Sequence, residues 1–550
     1  MKPHPRATAS VLALLIMGTG CGPAPEPYDV VIRGGTVIDG TGDPPRPADV
    51  AIRGDRIVAV GEVDGEGILT IDAAGRYVTP GFIDSHSHSE TERLVDGRGP
   101  SFSLQGITTE VFGETFSMGP VGGRWDGPSM PAGIERDWTT LGGFLESLER
   151  RGTAANFGSH VATGGVRAYV LGYEDRPPTA EELEEMKHLV GEAMAEGALG
   201  ISSGMSYVPN IYMSTDELVA LAQEAAQAGG TYATHARTMN GEDPEAIREA
   251  VVIAERTGIP VHFYHLNSVA STSAPEFLDI IREARARGLA ITGDSYTYTW
   301  GITGLSSYLP AWAQEGGREE MLARLRDPEQ RRRIARGFAT DEPALVALVG
   351  WDRVRLGVTN PEVNAKLVSE VAAMRDVSPE EAFMDVVLEQ EGRGMVIDWN
   401  NEEETLRQVL AAPFVVGGTD GDALSLEDRD KLPALPHPRH LGTFPRFLAR
   451  YVRDEGVVSW PEAIHKLTGL AAQIWGFEDR GTLAPGKAAD VVILDPERIQ
   501  DYATFEDPFH YSEGIDYVLV NGVPVVEDGV PTDALPGRAL RGRGYTPPAG

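Results

Sequence analysis

Eight short apolar runs recur along the middle of the chain, and stretches of helical periodicity fill most of the gaps between them. The runs lie near Phe82 and at 107–112, 154–157, 198–201, 231–234, 260–264, 290–292 and 414–416. Helical stretches fall at 179–195, 215–228 (with Ser214 as its N-cap), 244–256 and 275–287. Strands alternating with helices in this way predict an α/β fold, a distorted (β/α)8 TIM-like barrel. The gap between the seventh and eighth runs is far too long for one crossover helix. Residues from about 300 to 410 therefore read as a mostly helical insertion placed over the barrel mouth.

Both ends of the chain carry short strands instead. Gly54-Asp55 and Asn521-Gly522 mark hairpins, and neither end has enough strands to bury a face alone. The two ends are expected to pair into one small β-sandwich domain, 28–78 with 480–545, leaving 79–479 for the barrel.

Chemistry in such barrels sits at the C-terminal ends of the strands. Thr79-Pro80-Gly81-Phe82-Ile83-Asp84-Ser85-His86-Ser87-His88 ends its apolar run in two histidines, which share a face if the run is extended. Four later runs end in Glu114, His235, His265 and Asp420. Histidines and carboxylates without thiolate suit Zn2+ or a similar divalent ion, one or two in number. Cys21 is the single cysteine, so thiolate sites in the body and intramolecular disulfides are excluded. His160, His188, His262 and His465 read as capping or core groups.

The net charge of −34 argues against nucleic acid as a partner. Residues 1–21 read as an export signal: Lys2 and Arg6 first, then an apolar core at 11–17, then Gly18-Thr19-Gly20-Cys21. Cys21 resembles the lipidated cysteine of a bacterial lipobox, although Gly18 stands where a larger aliphatic residue is usual. The expectation is an exported, periplasmic protein, anchored by lipid at Cys21 to the outer membrane, with 22–27 as a tether and no other membrane contact. Cleavage as an ordinary secretory signal is the alternative.

Residues 28–543 resemble the amidohydrolase superfamily, and more narrowly the N-acyl-D-amino-acid deacylases (D-aminoacylases). The resemblance is carried by 79–88, Gly106-Ile107-Thr108-Thr109, Gly197-Ala198-Leu199-Gly200-Ile201-Ser202-Ser203-Gly204 with Tyr207, and Thr234-His235-Ala236-Arg237. It continues through His265, Asp294-Ser295-Tyr296-Thr297-Tyr298, Gly418-Thr419-Asp420-Gly421, His437-Pro438-Arg439, 442–446 and 480–490.

The resemblance implies a metal-dependent hydrolase that cleaves the amide of a small-molecule N-acyl-D-amino acid with a metal-activated hydroxide. His86 and His88 with Asp420 would hold one metal position, and His235 with His265 the other. Asp420 would take a proton from the water and deliver it to the leaving amine.

There are two departures. The family has a cysteine where Thr115 stands, and Glu114 beside it is assigned the bridging role. Asn267 stands where a lysine helps bind the substrate carboxylate, leaving Arg439, Arg237, Tyr207 and Tyr298 as anchors, Arg439 foremost. Alternative readings are a dipeptidase or cyclic-amide hydrolase of the same superfamily and, from another class, a non-catalytic binding lipoprotein.

Overall fold

The computed structural model describes residue 1 and residues 27–237, 244–269, 274–399, 401–431 and 435–547. The expected export signal with Cys21, and 22–26 of the expected tether, lie outside the described residues apart from Met1.

The barrel strands are β1 (Phe82–Asp84), β2 (Ile107–Phe112), β3 (Asn156–Ser159, resumed after His160 at Val161–Ala162), β4 (Gly200–Gly204), β5 (Thr231–His235), β6 (Val261–Phe263), β7 (Ile291–Ser295) and β8 (Val415–Gly417). They form a three-stranded and a six-stranded ladder that share the interrupted β3, with parallel pairing throughout. Every residue of β1 and β2 is buried. Strands covered by helices outside and side chains inside read as continuous apolar runs, which is why the sequence showed no alternation.

No ladder joins β8 to β1. The barrel closes beyond the strand ends, where Ser85 N–H donates to the Gly417 carbonyl (3.2 Å) and Asp420 N–H to that of His86 (2.8 Å). Asp84 ties the same seam, accepting from the Thr419 N–H at 2.8 Å and its hydroxyl at 2.6 Å.

Trp475, from the helix Gly469–Trp475, closes the floor and donates through its indole N–H to Ser85 Oγ (3.0 Å). His160 and His262 pack on its ring, with centroids 5.1 and 4.7 Å away. Their ring nitrogens meet Thr231 Oγ1 (3.1 Å) and Thr292 Oγ1 (2.9 Å), as core histidines. His188 is exposed on a helix, and His465 bonds the Gly40 carbonyl.

The outer helices start where their caps dictate. Ala180–Glu196 follows a reciprocal capping box between Thr179 and Glu182, and Thr215–Gln227 is capped by Ser214 Oγ. Among the described residues no helix is long and apolar enough to cross a membrane.

The chain ends meet in one nine-stranded sheet. Its seam is the antiparallel pair Tyr77–Pro80 and Val491–Leu494, in register Pro80 to Val491 and Tyr77 to Leu494. Val30, Ile32, Val50, Ile52, Val491 and Ile493 share the core beneath it. The strand Tyr77–Pro80 then runs straight into β1 through Gly81, where a Cβ would meet Thr108 Oγ1 at 2.1 Å.

Between β7 and β8 lies a unit with its own core, including Leu305, Tyr308, Phe338, Phe383 and Val396. It holds helices and an antiparallel three-stranded sheet of Trp300–Gly304, Met395–Trp399 and Val354–Gly357. It docks on the barrel mouth through Tyr207 Oη with Thr303 Oγ1 (3.0 Å), His437 Nε2 with the Trp300 carbonyl (2.9 Å), and Tyr212 Oη with the Ala311 carbonyl (2.7 Å). The helix Glu403–Ala411 returns to the barrel shell and packs beside β8.

Candidate metal centre

Six strand-end residues from β1, β2, β5, β6 and β8 converge at the mouth. Their ligand atoms fall into two sets that share one member: His86, His88, Glu114 and Asp420, and Glu114, His235 and His265. Glu114 divides its two oxygens between them. Oε2 lies 2.9 Å from His86 Nε2 and 3.1 Å from His88 Nε2, while Oε1 lies 3.3 Å from His235 Nδ1. His235 Nδ1 stands 2.9 Å from His265 Nε2. Asp420 completes the first set, with Oδ1 3.1 Å from His88 Nε2 and 3.7 Å from His86 Nε2.

The turns that aim these side chains carry strain. Thr115, His265 and Asp420 have φ of 55°, 31° and 50°, in the left-handed region that non-glycine residues rarely enter. Thr115 turns its hydroxyl towards Gly204, where a Cβ would lie 1.9 Å from Oγ1, so Glu114 alone of the two faces the histidines.

Asp294, at the end of β7, organises the ring from beneath. Its Oδ1 accepts from the His265 N–H at 2.7 Å and lies 3.6 Å from His86 Nδ1, and its Oδ2 pairs with His262 Nε2 at 3.0 Å. No role was assigned to it from sequence, although it ends its apolar run as the assigned residues do.

The electrostatics favour a cation. Burial opposes a charged His86, yet Asp420 and Asp294 outweigh it and push its pKa up to about 10. Burial and the neighbouring His235 push His265 down to about 4, which keeps its ring neutral. Burial raises the Asp420 carboxyl, but the Arg439 guanidinium and His86 hold it well below the usual carboxylate range. Glu114 Oε1 and His265 Nδ1 are buried without a hydrogen-bond partner. Four imidazoles and two carboxylates, with an orphaned carboxylate oxygen between the histidine pairs, fit one or two divalent metals.

The expected substrate anchors part company. Arg439 is buried and donates from Nη1 to Asp420 Oδ2 at 2.7 Å, with its guanidinium 5.2 Å over the ring of Tyr296. Tyr207 packs its ring on His235, centroids 4.7 Å apart. Asn267 is fully buried; its Oδ1 accepts from Ser295 Oγ at 3.0 Å and its Nδ2 has no partner.

Two expectations are corrected. Arg237 spends its guanidinium on Glu249 (3.1 Å) and on the carbonyls of Ile211 (3.0 Å) and Met213 (2.8 Å), so it braces a loop rather than facing substrate. Tyr298 turns away from the histidines, packs on His437 and Phe505, and reaches Asp501 with its hydroxyl (3.4 Å). Tyr296 takes the place beside Arg439, its hydroxyl 2.6 Å from Ser268 Oγ.

A family model described as "Amidohydrolase family" matches residues 69–526. D-aminoacylase of Alcaligenes xylosoxydans xylosoxydans is 32% identical over 525 residues, covering 94% of this chain and 98% of its own. N-acyl-D-aspartate deacylase of the same organism is 32% identical over 528 residues, covering 94% and 96%. The crystal structure of N-acyl-D-glutamate deacylase from Bordetella bronchiseptica, complexed with zinc and a phosphonate mimic of the tetrahedral intermediate, matches with a TM-score of 0.76 at 28% identity. It covers 94% of this chain and 100% of that one.

Proposed function

The chain belongs to the amidohydrolase family, and from that premise we propose that it is a zinc-dependent deacylase of N-acyl-D-amino acids. One observation carries the reading: Glu114 offers a separate oxygen to each histidine pair, and Asp420 stands on the side of His86 and His88. The relatives act on N-acylated D-residues of differing side chain, by their names, which supports the substrate class and leaves the side chain to this protein's own pocket.

His86, His88 and Asp420 would hold one metal position, His235 and His265 the other, with Glu114 between them. A divalent metal there supplies Lewis acidity, polarising the scissile carbonyl and lowering the pKa of water. The residues do the rest. Asp420 takes the proton of the attacking water on Oδ1, its oxygen nearest the histidines, and passes it to the amine as the C–N bond breaks. Arg439 and Tyr296 form the wall that receives the substrate carboxylate, and Asn267 adds one neutral donor through Nδ2. The insertion roofs the site at Tyr207, which excludes water from the reacting amide.

The basic start, short apolar core and Cys21 support export with a lipid anchor as the setting for this activity.

The test is a hydrolysis screen of paired N-acetyl-D- and N-acetyl-L-amino acids, with D-residue dipeptides and cyclic amides, on protein of measured metal content. Turnover of the D-forms well above the L-forms is expected. Equal rates on both would sink the deacylase assignment, and preferred turnover of dipeptides or cyclic amides would move the substrate class.

A further inference from the structure

Asp420 has two carboxylate oxygens with different neighbours. Oδ1 faces His88 at 3.1 Å, and Oδ2 receives the Arg439 Nη1 at 2.7 Å. The terminal torsion of an aspartate is broad and roughly two-fold, so hydrogen bonds decide which oxygen faces which way. The rest of Asp420 is already committed, with a left-handed backbone (φ 50°) and its N–H on the His86 carbonyl at 2.8 Å. Its carboxylate is the remaining degree of freedom, and the Arg439 guanidinium bonds Oδ2 on the side away from the two histidines that face Oδ1.

Arg439 is built to hold still. It opens the helix Arg439–Arg446, its N–H donates to His437 Nδ1 at 3.0 Å, and its guanidinium lies over Tyr296, itself tied to Ser268. Both side chains are buried, 5% and 8% exposed, so the ion pair is little screened by water and directional. The guanidinium is not used up: its Nε is buried without a partner.

We propose that Arg439 is a positioning residue for Asp420, fixing Oδ2 so that Oδ1 is presented to the reacting water, in addition to receiving substrate. The inference rests on the acid–base role given to Asp420 above. An anchor alone would act on substrate binding, whereas a positioning residue acts on turnover. Lysine is a poor replacement, because a point charge cannot hold the carboxylate and keep a second donor edge for substrate.

The experiment uses full-chain protein loaded with metal, as wild type, Arg439→Ala and Arg439→Lys. Steady-state kinetics are measured on an N-acetyl-D-amino acid and on the corresponding C-terminal carboxamide. Arg439→Ala is expected to lower kcat by about tenfold or more on the carboxylate substrate, the scale of a small misplacement of a reacting group. KM is expected to rise on that substrate alone, and Arg439→Lys to recover part of kcat. A kcat within about twofold of wild type, with the whole effect in KM, would overturn the proposal and leave Arg439 an anchor.

The visible absorption of the cobalt(II)-loaded proteins gives a readout that needs no substrate. Displaced Asp420 is expected to change the band of Arg439→Ala at unchanged cobalt content. An unchanged spectrum counts against the proposal. Failure of wild type to cleave any N-acyl-D-amino acid would instead remove the deacylase reading, while the cobalt spectra still decide the role of Arg439.

Discussion

His235 Nδ1 and His265 Nε2 stand 2.9 Å apart at the ends of adjacent strands, with Glu114 Oε1 3.3 Å from the first. Two imidazole nitrogens so close share one proton at most, or turn both lone pairs on a cation. Burial and His235 hold His265 neutral, with its pKa near 4, which suits the second arrangement.

Replacing His235 and His265 together by alanine is therefore expected to abolish activity and remove most bound metal, read by elemental analysis. Glu114→Gln should weaken one metal position more than the other, since each oxygen faces a different histidine pair. Full metal content and rate in Glu114→Gln would end the bridging role.

Asp420→Asn removes the proton acceptor while preserving shape. The expected loss is at least about 100-fold in kcat. A variant with near wild-type kcat would transfer the acid–base role to another group.

Asn267 is fully buried, accepts from Ser295 Oγ, and is the neutral amide proposed above to meet the substrate carboxylate. Asn267→Lys adds charge there and is expected to lower KM for N-acyl-D-amino acids while leaving that for their carboxamides unchanged. Equal effects on both substrates would show that Asn267 does not sense the carboxylate.

His160 is buried against Trp475, and burial pushes its pKa down to about 3. An unfolded chain takes up that proton near pH 6.5, well before the folded one. Stability should therefore be full above about pH 6.5 and fall as the pH drops towards 3. His160→Gln should flatten this fall by up to about one proton, measured by denaturant titration of metal-free protein across that range. An unchanged slope would show that the imidazole does not carry the effect.

Cys21→Ser is expected to move the protein from the membrane to the soluble exported fraction. Unchanged fractionation would remove the lipid anchor.

Much of this was readable because strands buried on both faces write themselves as apolar runs, and because Glu114, His235, His265 and Asp420 each close one. Asp294 closes one too, but its partners, the His265 N–H and His262, come from a neighbouring strand. The choice between Tyr296 and Tyr298 depends on which face of the chain turns to the mouth after β7, and no periodicity extends that far. Arg237 is claimed by Glu249, which lies twelve residues on in a helix, and its own segment does not announce that pairing. The sheet inside the insertion pairs Trp300–Gly304 with Met395–Trp399 across a long separation, which no local pattern records.

The seam between Tyr77–Pro80 and Val491–Leu494 bears on the protein's birth. The strand that leads into His86 and His88 is held on that side by residues synthesised more than four hundred positions later. A chain emerging from the ribosome has its first histidine pair early and the strand that fixes it late. Long-range pairing of this kind is slow and completes late. For a chain exported as proposed, the centre would then be completed after translocation, and the metal would be acquired in the compartment where folding finishes.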